Sequence, residues 1–174
     1  MIVARHSKSF AAIETHRLAH WLWQNGRRDT ALYLQCRSSE VSGADIHPAA
    51  QFGKGIFLDH ATGFVAGETV VIEDDVSILH GVTLGGGGVG TGDSHPKIRS
   101  GVLIGAAAVI IGNIEIGAHS RIAAGSLVLE SVPQRCTAVG VPARIFEGAG
   151  SENPARSMNQ AFASGTYDSF TYTI

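Results

Sequence analysis

Apolar residues recur at every sixth position along this chain: Ile46, Phe52, Leu58, Phe64, Val70, Val76 and Val82, then Ile98, Ile104, Ile110, Ile116, Ile122 and Val128. A period of six matches neither the 3.6-residue turn of a helix nor the simple alternation of one half-buried strand. It fits a coil in which each repeat is a short strand and a turn. Three repeats close a triangular rung, stacked rungs form parallel sheets, and the recurring side chains fill the centre. Glycines and small residues beside the markers, as in Ile104-Gly105 and Ile116-Gly117, suit tight corners where positive φ or close backbone approach excludes a branched side chain. An ordinary sandwich of apolar strands is the alternative, and thirteen markers on one spacing count against it.

The flanks read differently. From about Ser9 to Gln35, Phe10, Ile13, Leu18, Trp21 and Leu22 define a helical face, Asn25-Gly26 marks a break, and a second short helix is expected around Asp29 to Leu34. After Glu147 the chain turns polar and Gly/Ser-rich, which predicts a mobile tail with little to bury. The expected organisation is a helical segment at 1–40, the coil at 41–147 and a flexible tail at 148–174. Within the coil, TLGGGGVGTGDSHPK is ten residues too long for one repeat between Val82 and Ile98, so 85–97 must leave the coil as a loop. Gly85, Gly87 and Gly90 satisfy G-x-G-x-x-G, but no helix or βαβ unit surrounds them, and four consecutive glycines produce such a match by accident. A lid over a ligand groove and a plain surface loop are the two readings left.

Composition narrows the function classes. With 174 residues, 44% hydrophobic and 16% charged, one domain is expected. A net charge of -2 and a pI near 6.4, without a dense Lys/Arg run, give no electrostatic reason to expect nucleic acid or an anionic membrane as partner. The opening MIVARHSKSF has no signal-peptide apolar stretch, and no segment approaches a membrane span. Cys36 and Cys136 lack CxxC spacing, so neither a disulfide framework nor a cysteine zinc site is expected, and a reducing cytoplasm is the default compartment.

Candidate chemistry concentrates in DIHPAAQFGKGIFLDHATG, where Asp45, His47, Asp59 and His60 fall within one rung's length. Asp45 and His60 are fifteen residues apart, so nearly one full turn of the coil brings them toward each other. A carboxylate beside an imidazole fixes its tautomer and stabilises the imidazolium formed on proton transfer. Metal binding competes with this reading, because left-handed β-helices of the γ-carbonic anhydrase type hold zinc with three histidines. Here His47, His60, His80 and His95 are widely spread and no H-x4-H pair occurs, so no metal is expected. His6, His16, His20 and His119 read as helix-face or surface residues.

Taken together, DIHPAA, LDHATG, VIEDDVSILHGVTLGG, HPKI, GAAAVIIGNIEIG and AVGVPARI resemble serine O-acetyltransferase of the hexapeptide-repeat acyltransferases, from roughly residue 10 to 147. The resemblance implies a mainly β fold, a left-handed parallel β-helix, and transfer of acetyl from acetyl-CoA to the L-serine hydroxyl for cysteine biosynthesis. His60 would be the general base, Asp45 its orienting carboxylate, Asp59 the holder of the substrate ammonium, and His95 a contact to the amino acid. Acetyl-CoA would lie in a groove lined by backbone at Gly86, Ala106 and Ala124, with Arg121 or Arg144 near its phosphates. A hydroxyl is barely ionised at neutral pH, so an imidazole at hydrogen-bond distance is the natural proton acceptor, and the thioester is activated enough to need no metal.

The same resemblance implies trimers that long N-terminal helices join into a hexamer, and with most of that region missing from this sequence a homotrimer is expected here. It also implies docking of the C-terminal Ile174, with its carboxylate, into O-acetylserine sulfhydrylase. Two departures bear on the acceptor. The family's N-terminal Asp in a DPA-type motif has no counterpart in this sequence, and Ser94 stands where the family commonly places an Arg suited to bidentate carboxylate recognition. Another small hydroxyl acceptor such as homoserine, or a weakly active docking subunit, is therefore the alternative.

Overall fold

The computed structural model describes residues 7–88, 92–148 and 151–160. Two antiparallel-packed helices lead into a left-handed triangular β-helix. Helix α1 (Lys8–Gln24) starts at Ser7, whose hydroxyl accepts from the Ser9 amide, and ends at Asn25. Helix α2 (Arg28–Ser42) runs about two turns beyond the expected Leu34 and stops at Gly43, left-handed at φ 75°. Its second half was hidden because only Ala31 and Ser42 are buried, so it has no apolar stripe to read.

The buried face of α1 is also not the one its large side chains point to. Ala12, Ile13, His16, Ala19 and Leu22 face inward, while Phe10, Leu18 and Trp21 are exposed. Small residues let the helix approach the coil and α2 closely, which leaves the bulky ones outside. His16, expected at the surface, is buried with its ring 4.4 Å from that of Phe52. Burial, with His20 and Arg17 nearby adding to it, pushes its pKa down to about 3. The unfolded chain protonates this ring near the ordinary value of about 6.5, whereas the folded chain keeps it neutral until about 3. The unfolded state thus takes up the proton first, and stability falls as pH drops through that window, at most by about 1.4 kcal/mol per pH unit. Urea midpoints taken near pH 7 and about pH 4.5 are expected to fall further for the wild type than for His16→Leu. Equal falls in the two proteins would remove His16 as the group responsible.

Three sheets form the faces of the coil. Face A carries β1 (Asp45–Ile46), β4 (Val65–Ala66), β7 (Thr83–Gly85), β10 (Val109–Ile111) and β13 (Leu127–Val128). Face B carries β2 (Gln51–Phe52), β5 (Val71–Ile72), β8 (Lys97–Ile98) and β11 (Glu115–Ile116). Face C carries β3 (Phe57–Leu58), β6 (Ser77–Ile78), β9 (Leu103–Ile104), β12 (Arg121–Ile122) and β14 (Cys136–Gly140), closed by an antiparallel β15 (Ala143–Glu147). Every other pairing is parallel, with inward residues stacked directly, as in Leu58↔Ile78↔Ile104↔Ile122.

The six-residue train slips once. Inward strand residues step Ile46, Phe52, Leu58, then Ala66, Ile72, Ile78 and Leu84, two residues later than the train predicts. Phe64, Val70, Val76 and Val82 are fully buried too, but each directly precedes its strand. The extra pair sits at the corner before β4, where His60 and Ala61 are both left-handed, at φ 62° and 59°. Counted from Leu84, the excursion to Ile98 is correspondingly two residues shorter than the ten assigned on sequence.

The outward faces differ. Face B bears an ion ladder in which Arg99 pairs with Glu73 at 2.7 Å and with Glu115. On face C the outward column Ser77, Leu103, Arg121 and Thr137 is buried, because Gly148 and residues 151–159 lie across it, whereas Phe57 in the same column is half exposed. Thr137 Oγ1 donates to the Gly148 carbonyl, Ser77 Oγ to that of Ala155 and Arg121 to that of Asn159, at 2.8, 2.8 and 3.2 Å. The segment expected to be mobile on composition is thus packed as far as it is described, and Pro154 and Ala155 of the short α3 (Pro154–Ser157) are buried. Face A carries Val65, Thr83, Val109 and Leu127 outward with nothing of this kind over them among the described residues.

Candidate functional site

His60 projects from the edge between faces C and A, its side chain 71% exposed. Consecutive left-handed non-glycine residues are costly, and such conformations collect at functional sites. The corner is fixed by its neighbours: the Gly63 amide donates to Gly43 O at 2.7 Å, the Gly81 amide to Thr62 O at 2.8 Å, and Lys8 at the start of α1 reaches Thr62 Oγ1. Asp59 Oδ1 lies 3.6 Å from His60 Nε2. The His80 ring stands edge-on to that of His60, centroids 5.9 Å apart and planes at 86°.

Asp45 begins face A one rung below, its amide donating to Phe64 O. Its Oδ1 accepts from Gln35 Nε2 on α2 at 2.6 Å, and no hydrogen bond or ion pair joins it to His60 among the described residues. The structure therefore brings Asp59 and His80 to His60, and gives Asp45 to Gln35.

His95 occupies the other edge of face A, between A and B. Its Nδ1 is 2.8 Å from Thr69 Oγ1, and that hydroxyl also accepts from the Ser94 and His95 amides. Lys97 binds the Thr69 and His95 carbonyls and the Asp93 carboxylate, which anchors the return of the loop. A Cβ on Gly67 would fall 1.9 Å from His95 Nε2, so glycine is what admits the ring there. Burial, then Lys97, lowers the His95 pKa, and His47 on the same edge is lowered by burial with His95 contributing. The length of the face A strands, which run from the C–A edge to the A–B edge, separates His60 from His95, so the two do not share a site within one chain.

Gly86 flanks His95 and Ser94, while Ala106 and Ala124 occupy the C–A edge on rungs above His60. Arg144 is exposed on β15. Arg121 is 5% exposed beneath the C-terminal segment, its pKa lowered by burial. Ile174 lies outside the described residues. On sequence His80 figures only among the spread histidines weighed for metal, and Gln35 not at all; the Phe57↔Ser77 and Leu58↔Ile78 register, carried past the strands toward positions 60 and 80, is the signal for the first. Among the described residues, no three His, Cys, Asp or Glu side chains gather as metal ligands, and no helix is long and apolar enough to cross a membrane.

The coil and its six-residue repeat define a fold class, the left-handed parallel β-helix of hexapeptide repeats. Residues 95–130 match the bacterial transferase hexapeptide (six repeats) family. Within that class, curated proteins that match along nearly the whole of this chain include serine acetyltransferases. It is 56% identical to the Salmonella typhimurium serine acetyltransferase over 95% of this chain and 60% of that protein. The Brucella abortus serine acetyltransferase solved in complex with coenzyme A superposes with a TM-score of 0.82 at 65% identity, over 83% of this chain and 58% of that one. Soybean serine acetyltransferase complexed with serine gives a TM-score of 0.79 at 58% identity, over 81% and 58%. The chain spans about 60% of the length of these relatives.

Proposed function

We propose that this chain is a cytoplasmic acetyl-CoA-dependent serine O-acetyltransferase, with His60 as the general base. The observation that carries the reading is His60 itself: an exposed imidazole held out on a left-handed corner beside a carboxylate. Beyond the His80 ring, a track of the small residues Gly81, Ala106, Ala107, Ala124 and Gly125 runs along the C–A edge. That bare edge suits a thin, extended ligand such as the pantetheine arm of coenzyme A. The serine hydroxyl oxygen attacks the thioester carbonyl carbon while His60 takes its proton. The carbon–sulfur bond then breaks, and the imidazolium returns the proton to the departing thiolate. Asp59 is placed to hold the substrate ammonium, and Asp45, steadied by Gln35, is the more distant carboxylate of the same edge. Release of coenzyme A thiol with L-serine above that with homoserine is expected; homoserine turning over faster would reassign the acceptor, and Ser94 would be the first place to look.

The distribution of faces supports a homotrimer. Face C is covered by the chain itself and face B is charged, while face A is the apolar one, with the two halves of the site on its two edges. Three chains with face A turned to a common axis set the His60 edge of one against the His95 edge of the next. The proposed divisions at 1–40, 41–147 and 148–174 serve this plan, the last leading to Ile174. For that end, O-acetylserine sulfhydrylase is the proposed partner: a peptide of the last ten residues is expected to bind it and compete with O-acetylserine, and one lacking Ile174 to lose binding. Equal calorimetric titrations with both peptides would remove the role.

A further inference from the structure

We propose that His80 is a positioning residue that fixes the His60 imidazole from the neighbouring rung, an inference that rests on the reading of His60 as the base. His60 needs such a support. Its side chain is 71% exposed, and the acidic neighbour Asp59 stands at 3.6 Å, beyond ordinary hydrogen-bond length, so it leaves the ring free to turn. A base that swings through several rotamers meets the attacking hydroxyl only part of the time, and misplacement of about 1 Å at a reacting group costs on the order of 100-fold.

The coil supplies the missing contact by its own register. Phe57 pairs with Ser77 and Leu58 with Ile78, so the chain leaves face C toward the same corner at positions 60 and 80 of adjacent rungs. Two further facts turn that equivalence into contact. The rung of His60 carries the two-residue insertion before β4, and His60 and Ala61 both take positive φ, so the His60 side chain stands outward while Ala61 stays in the core. The rung of His80 turns at once through Gly81, at φ 70°, whose amide donates to Thr62 O at 2.8 Å, while the His80 carbonyl accepts from the Ala107 amide at 2.9 Å. His80 is thus backbone-anchored to the rungs on both sides, and its ring meets that of His60 in a T-shaped arrangement at 5.9 Å. Edge-to-face packing favours one relative orientation without tying up a ring nitrogen, so it restrains the base and leaves its nitrogens available for proton transfer.

The test compares kcat and KM for serine and acetyl-CoA in the wild type, His80→Ala, His80→Phe, His60→Ala and the double variant, together with three-bond couplings that report the His60 χ1 in ¹³C-histidine-labelled protein. His80 is exposed and, among the described residues, hydrogen-bonds only through its backbone, so these variants should fold, which thermal melting checks. His80→Ala is expected to lower kcat by about tenfold, with both KM values within about twofold and the His60 couplings moving to rotamer averages. His80→Phe, which keeps an aromatic edge, should restore kcat to within about threefold, and the double variant should match His60→Ala alone. Wild-type kcat in His80→Ala, a loss carried in KM, unchanged couplings, or a further drop in the double variant would each overturn the positioning role. A different result, near-normal turnover in His60→Ala, would remove the base assignment itself, and the couplings would still decide whether His80 orders the ring.

Discussion

Replacing His60 with alanine is expected to lower turnover on the order of 100- to 10,000-fold, the range that follows loss of a positioned general base. The His60 imidazole stands out from the C–A edge beside the Asp59 carboxylate, the place from which a base reaches a hydroxyl bound along that edge. Because its side chain is exposed and the core residues below it are untouched, the variant should melt near the wild type and still retain coenzyme A. The φ of 62° introduces one complication, since alanine tolerates the left-handed region poorly. His60→Asn, whose side chain is at home there, separates loss of the base from backbone relaxation: both variants should be inactive, and the second should be as stable as the wild type. Asp45→Asn should cost less, since the carboxylate it alters is bonded to Gln35 and not to His60. Turnover of His60→Ala within a few-fold of wild type would sink the assignment.

The period-six pattern made the coil legible because the repeat controls burial directly: in a triangular rung almost every marker is inside. For the same reason the two-residue slip was invisible. Phe64, Val70, Val76 and Val82 are as buried as the strand residues that follow them, so hydrophobicity alone cannot tell the two columns apart. The clue was chemical instead, since the polar LDHATG falls where the pattern places an ordinary corner.

Helix α1 misled for a different reason. Side-chain size was read as burial, yet close packing against the coil selected alanines for the inside and left Trp21 and Leu18 exposed. His16 and Arg121 share a further limit, because nothing in a linear sequence shows that a polar residue is covered by a segment far away, Phe52 in one case and Asn159 in the other. Residue types near His60 could be named from sequence. Their grouping could not, because Asp45 and His60 are placed by rung geometry, and His95 is carried by a loop to the opposite edge of face A.

That separation gives the second large prediction and the most direct test of the account, which holds that the site is assembled between chains. His60→Ala and His95→Ala should each be nearly inactive when assayed below saturating serine. Coexpressed with different affinity tags and purified through both, they are expected to form mixed trimers. In any such ring, a chain that keeps His60 stands in the required order beside a chain that keeps His95 at one interface of the three. Doubly selected trimers are therefore expected to show about one third of wild-type activity, well above either variant alone. Mixed trimers no more active than the single variants would place each site within one chain and contradict the account.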